Sequence, residues 1–307
     1  MAFAVLILGA VLISTSGIFV KISPLGPDGT GFYRMFLSLP ALGLWMLWRG
    51  RHAPYPVVRR VDWIALACAG IFLAADLIVW HRALHLIPVG AATLLGNTAP
   101  FWVALSGYLF FGERFGLRFL FGMGLAFGGA CLLVLGSGQP LGGGGWIGYA
   151  LGLAAGIGYA GYIRGVGWAR GRLKNSQVMV YSALFAALTM LAPMLVTETQ
   201  YWPVNIHGWS VLVGLAYISQ IMGQGLIAWA MGALPPSFTA VSLLLNPVAA
   251  ACFAWLALGE TVTVAQMIGG AAVLAGIVIA RGQGQKRGKN APPKKGENCC
   301  HAGTGHD

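Results

Sequence analysis

Negative charge is what this chain most conspicuously lacks. Eight Asp and Glu serve 307 residues against nineteen Lys and Arg, and only 9% of the sequence is charged at all. Soluble domains carry about 25% charged residues, so the shortage excludes a water-facing surface over most of the molecule. With 57% apolar residues and a mean hydropathy of +0.74, lipid must replace water there. Cysteine is scarce too: Cys68, Cys131 and Cys252 fall inside apolar runs and Cys299 and Cys300 in a polar tail, which excludes a disulfide framework. The adjacent Cys299-Cys300-His301 lacks metal-ligand spacing, and His81, His85 and His207 form no zinc motif. No Gly-rich nucleotide loop with its Lys is present, and the loops are too short for a catalytic domain, so neither an enzyme nor an ATP-driven pump is expected from this chain alone. No metal or cofactor is expected. A net charge of +11 invites a nucleic-acid reading, but the cations sit in short clusters without interleaved aromatics, so the expected partners are lipid and a small molecule, not nucleic acid.

What the sequence does have is long apolar runs. Ten are long enough to cross a bilayer as helices, at approximately 2 to 21, 30 to 48, 62 to 84, 88 to 111, 117 to 136, 144 to 163, 177 to 196, 208 to 231, 236 to 258 and 264 to 281. The first lacks a basic flank and a cleavage site and reads as a retained span. Placing the N-terminus in the cytoplasm puts sixteen of the nineteen cations in inner loops and the tail, leaves Lys21 and Arg82 outside and Arg34 within a span. That asymmetry predicts an all-α protein of ten transmembrane helices with both termini cytoplasmic. Residues 282 to 307 are Gly, Lys and Pro rich without periodicity and read as a disordered basic tail. Trp45, Trp48, Tyr201, Trp202 and Trp209 lie near span ends, as interfacial anchors do.

The chain repeats itself. Pro88, Pro100, Gly112, Glu113, Gly122 and Gly129 recur as Pro235, Pro247, Gly259, Glu260, Gly269 and Gly276, all at a shift of 147 residues. Five spans per half turn the second copy upside down, giving inverted repeats over 1 to 140 and 141 to 281. Charge agrees, since Arg114 and Arg118 follow the first Gly-Glu turn, while Thr261 and Ala265 stand at the equivalent places. The segments "NPVAAACFAWLALGE", "QMIGGAAVLAGIVIA" and "NTAPFWVALSGYLFFGE" resemble the EamA-type branch of the drug/metabolite transporter superfamily over residues 4 to 281, and the opening "LISTSGIFVK" looks most like its YddG-type amino acid exporters. The resemblance implies a bacterial inner-membrane exporter of small metabolites. A small multidrug antiporter of that superfamily would carry a glutamate in its first span, which has no acid here, and a phosphorylated substrate would want more buried cations than Arg34. Neutral or zwitterionic metabolites fit best, and the resemblance makes amino acids, aromatic ones included, the leading substrates. A drug or other metabolite exporter of the same superfamily, or a channel, stays open.

Candidate site residues follow from cost. Asp76 is the acid deep inside a span, with Trp80 one turn on along the same face. It either binds an ammonium or relays a proton, or else pairs structurally. Asn97, Thr98 and Trp102 on the fourth run, Tyr159 and Tyr162 on the sixth, Gln220 and Gln224 on the eighth and Ser242 and Asn246 on the ninth offer amides, hydroxyls and rings for a zwitterion, or simply glue helices together. Thr15 and Ser16 on the first run are weaker members. Pro100 and Pro247 each free a backbone carbonyl four residues earlier, at Gly96 and Leu243, and are read as hinges or static kinks. Glu113 and Glu260, at helix ends, read as caps or as residues that fix a loop. Gly144, Gly148, Gly152 and Gly156 form a ladder that predicts close packing within a monomer, with dimerisation as the alternative.

Overall fold

A computed structural model describes residues 1–136, 145–258 and 263–281, with the backbone alone at 89, 90, 254 and 256–258. Gly144 of the glycine ladder, Gly259 and Glu260 of the second Gly-Glu turn, and the tail with Cys299, Cys300 and His301 lie outside the described residues. Among the described residues the fold is entirely helical. The helices are α1 (Ala2–Ser14), α2 (Ser16–Ile22), α3 (Pro27–Phe36), α4 (Ser38–His52), α5 (Arg60–Leu86), α6 (Val89–Gly96), α7 (Ala99–Phe111), α8 (Leu117–Gly136), α9 (Trp146–Arg170), α10 (Asn175–Thr197), α11 (Ile206–Gly214), α12 (Gly225–Ala230), α13 (Pro236–Ser242), α14 (Asn246–Leu258) and α15 (Val264–Arg281). A π-helix, Leu215–Gln224, joins α11 to α12, and a 3₁₀ turn, Leu243–Leu245, joins α13 to α14.

Eight helical stretches are long and apolar enough to cross a membrane: Ala2–Ile22, Arg60–Leu86, Ala91–Phe111, Leu117–Gly136, Asn175–Thr197, Ile206–Ala230, Pro236–Phe253 and Val264–Arg281. The protein is therefore a multi-pass membrane protein. The expected runs 30 to 48 and 144 to 163 are also helical, as α3 with α4 and as α9, but fall outside those eight. α3 breaks from α4 at Leu37, and α9 is diluted by glycine. Large apolar side chains point outward along the bundle, with Phe110 80% exposed and Leu117 85%, an arrangement that only a hydrocarbon solvent favours. Tyr33, Trp202 and Trp209 cluster in tilted and edge-to-face contacts, whereas Trp45 and Trp48 stand exposed on α4.

Small residues set the packing. With no hydrophobic drive between helices in lipid, close backbone approach supplies the attraction. α8 and α15 form the most extensive pair and run antiparallel: Gly122 lies against Gly276 and Ala280, Gly129 against Gly269 and Val273, and Gly136 against Ala265. A Cβ on Gly129 would meet the Gly269 carbonyl oxygen at 2.6 Å, and one on Gly269 would meet the Gly129 oxygen at 2.7 Å. α9 crosses α5 in the same manner, Gly158 against the Asp76 backbone and Gly165 against Ala65 and Ala69. The described rungs of the α9 ladder are occupied within the chain, Gly148 by Leu86 and Ile87, Gly152 by Leu95, and Gly156 by Thr98 and the carbonyls of Leu95 and Gly96.

Candidate functional site

Glycines on α9 bring the interior polar residues together. Because Gly158 lets α9 touch the Asp76 backbone, the next residue, Tyr159, enters the same interior, where its hydroxyl donates to Gln224 Oε1 at 3.4 Å and its ring stacks on Tyr162. Gln224 lies one turn beyond Gln220 on the π-helix, and both are buried together with Ser219. From α3, Arg34 reaches in, 3% exposed, and its Nε donates to Gln220 Oε1 at 3.1 Å. Asp76, Tyr159 and Tyr162 lie near enough to Arg34 to act on its charge. Helices from both halves of the chain therefore converge on one set: Arg34, Asp76, Tyr159, Tyr162, Gln220 and Gln224. π-Helical turns occur frequently at functional sites.

A small cleft opens beside this set, lined by Gly96, Asn97, Ala99, Pro100, Tyr159, Ala240, Leu243, Leu244 and Asn246. Its two walls are helix breaks. α6 stops at Gly96, the amides of Thr98 and Phe101 turn to shorter bonds with the carbonyls of Leu95 and Thr98, and α7 begins with Pro100 in its first turn. α13 gives way to the 3₁₀ turn and α14 starts at Asn246. Each proline thus occupies the first turn of a new helix, where its missing N–H costs nothing, instead of kinking a continuous one as expected from the sequence. Gly96 and Leu243 both line the cleft, and the Leu243 carbonyl, which Pro247 cannot bond, accepts the Asn246 amide instead. Asn97 Nδ2 and Asn246 Oδ1 are buried there without a hydrogen-bond partner among the described residues. Gln224 Nε2 and Ser219 Oγ are unpartnered in the same sense. Each such atom costs about 1–3 kcal/mol, so their concentration here marks a place built to meet a ligand or water.

Of the residues singled out from sequence, Asp76, Asn97, Tyr159, Tyr162, Gln220, Gln224, Asn246 and Pro100 gather here. Trp80 lies beside them, its indole 3.6 Å from where a Cβ of Gly96 would sit. Others are satisfied locally: Thr15 Oγ1 donates to Leu12 O, Ser242 Oγ to Phe238 O and Thr98 Oγ1 to Leu95 O, while Trp102 Nε1 donates to Thr98 Oγ1. Ser16 opens α2 without a side-chain hydrogen bond among the described residues, and Pro247 stands in the first turn of α14. Arg34 and Ser219 complete the set although the sequence had not nominated them. Of the two roles read for Glu113, it fixes the loop: Gly112, at φ 61°, turns the chain so that Glu113 Oε1 meets Arg164 Nη1 at 2.6 Å while Oε2 takes Arg164 Nη2 and the Ser237 hydroxyl. Arg164 also donates to the Val103 carbonyl and to Ser106, tying α7, α9 and α13 together. The two ends of α5 carry further pairs, Asp62 with Arg172 at one and Arg82 with Asp28 at the other.

Comparison with known proteins gives this arrangement a context. A solved crystal structure superposes with a TM-score of 0.74 over 91% of this chain and 96% of its own, at 20% identity, which establishes a shared fold. A "Probable terminal-alkyne amino-acid exporter" of Streptantibioticus cattleyicolor is 26% identical over 251 residues, 78% of this chain and 80% of that one. A "Probable amino-acid metabolite efflux pump" of Salmonella typhimurium is 29% identical over 213 residues, 63% and 67% of the respective chains. The model of the EamA-like transporter family matches residues 1–135 and 146–282, nearly the whole described helical bundle, and the chain belongs to that family of the drug/metabolite transporter superfamily.

Proposed function

We propose that this transporter exports small neutral or zwitterionic metabolites, amino acids including aromatic ones foremost, across the bacterial inner membrane by alternating access, with both termini in the cytoplasm. The observation that carries the reading is the convergence of Arg34, Asp76, Tyr159, Gln220 and Gln224, with unpartnered amide atoms nearby, in the interior of a membrane bundle. A half-buried acid, a buried cation and amides that both donate and accept can satisfy both ends of a zwitterion. The printed names of the two relatives point to the same substrate class.

Ten spans in two inverted halves, 1 to 140 and 141 to 281, are the architecture we assign, counting α3 with α4 and α9 as crossings. The pairing of α8 with α15 supports it. A shift of 147 carries Gly122 to Gly269 and Gly129 to Gly276, so the contact of Gly122 with Gly276 becomes that of Gly269 with Gly129, which is also made. Self-complementary contacts of this kind are what a two-fold axis generates. Equivalent membrane-crossing helices run antiparallel only when that axis lies in the membrane plane. The breaks before Pro100 and Pro247 then serve as hinges on opposite sides of a midplane cleft. Uptake of a panel of neutral amino acids into inside-out proteoliposomes, with and without a pH gradient, tests the reading: saturable uptake of some members is expected, with alanine at Pro100 or Pro247 slowing turnover more than it weakens affinity. A folded protein that moves none of the panel overturns it.

A further inference from the structure

Five acidic residues fall among the described positions, and four of them are partnered. Asp28 holds Arg82 and Thr197, Asp62 holds Arg172 and the Arg59 amide, Glu113 holds Arg164 and Ser237, and Glu198 accepts the amides of Asp28 and Gly29 at the start of α3. Asp76 makes no hydrogen bond or ion pair among the described residues. Arg34 shows the complementary deficit. A guanidinium offers five N–H donors, and in a side chain only 3% exposed, Nε alone is used, on Gln220. The two opposite charges enter the same interior yet do not form an ion pair. Gln220 anchors the guanidinium on its Nε edge, which keeps both terminal nitrogens free, and Gly158 fixes the Asp76 backbone against α9. Leaving a buried guanidinium and a half-buried carboxylate unpaired inside a membrane bundle is costly for both. Something carrying both signs offsets that cost.

Building on the amino-acid reading above, we propose that Arg34 and Asp76 are the two poles of one recognition site, Arg34 binding the α-carboxylate of the substrate through its terminal nitrogens and Asp76 its α-ammonium. The pair selects the zwitterionic head and leaves the side chain to the cleft beyond Tyr159. Substrates lacking either charge leave one pole of the site unpaired, which is how a polar site rejects an analogue that lacks a group it was built to bind.

The test needs no mutation to begin. Proteoliposomes taking up labelled phenylalanine, or whichever panel amino acid moves fastest, are challenged with the same unlabelled amino acid, its methyl ester and its N-acetyl derivative. The ester lacks the carboxylate charge and the N-acetyl compound the ammonium, so each is expected to compete at least about tenfold more weakly, a gap of ~1.4 kcal/mol. R34Q then narrows the gap for the ester and D76N that for the N-acetyl compound. Competition by all three within about twofold of one another overturns the two-pole site while leaving amino-acid export intact. R34Q or D76N protein that folds and keeps both gaps overturns the assignment of the poles. No uptake of any amino acid by the unmodified protein removes the export reading, and this proposal with it.

Discussion

At the scale of single residues, low dielectric decides which side chains matter. The Glu113–Arg164 pair is 13% and 10% exposed and ends a network through Ser106, Val103 and Ser237. Removing one member of a buried pair strands the other, at a cost of about 3–5 kcal/mol. E113Q is therefore expected to lower the melting temperature in detergent sharply, and E113Q combined with R164Q to lower it less than E113Q alone; additive losses would show that the pair is not coupled. Asp76 was legible in the sequence because an acid in the middle of an apolar run has no inexpensive explanation. Arg34 was legible as a cation within a span, but not its partner, and only the packing of α3 against the π-helix shows that it turns to Gln220. Glu113 was legible as a cap or a loop-fixing residue, but not its partner, which lies 51 residues away with no local spacing to announce it.

At the scale of elements, hydropathy located every helical run, yet the breaks within them came from backbone chemistry. Proline marked the positions of two breaks, but not their form: a new helix starting at the proline needs no lost hydrogen bond, and the chain takes that solution at Ala99 and Asn246. The π-helix had no such marker. It places Ser219, Gln220 and Gln224 in the interior where Gly223 lets α1 approach, the Ile13 amide lying 2.9 Å from where a Gly223 Cβ would stand. Glycine spacing was the better guide to packing than to partner, because the α9 ladder predicted close approach and the fold supplied α5 and α6 as what it approaches. The α8–α15 seam makes this testable. Alanine at Gly129 and at Gly269 should each destabilise the protein, and to the same degree, because the two positions face each other's carbonyls at 2.6 and 2.7 Å. Alanine at Gly124 or Gly128, where an added Cβ meets nothing within 4 Å, should be neutral or stabilise by about 0.4–1 kcal/mol. Melting temperatures in detergent read all four, and a loss confined to one of the first two would break the symmetry argued for the halves.

On the scale of the whole molecule, composition alone had already excluded a soluble protein, and the eight apolar helical stretches and the family match agree with that. Sidedness was read from the placement of Lys and Arg in the loops. Direction of transport and substrate enter through the resemblance, the relatives and the chemistry of the interior set. What unites these is the claim that one central site is exposed alternately to the two faces of the membrane, and counterflow tests that claim most directly. Proteoliposomes are preloaded with an unlabelled neutral amino acid of the transported class and diluted into a trace of the labelled form. An alternating carrier must carry labelled substrate inward each time it carries unlabelled substrate out, so the label should rise transiently above its equilibrium level and then decay. Label that merely climbs to equilibrium, with no overshoot at any preload, would mean an open pore and would contradict alternating access through the Arg34 and Asp76 site.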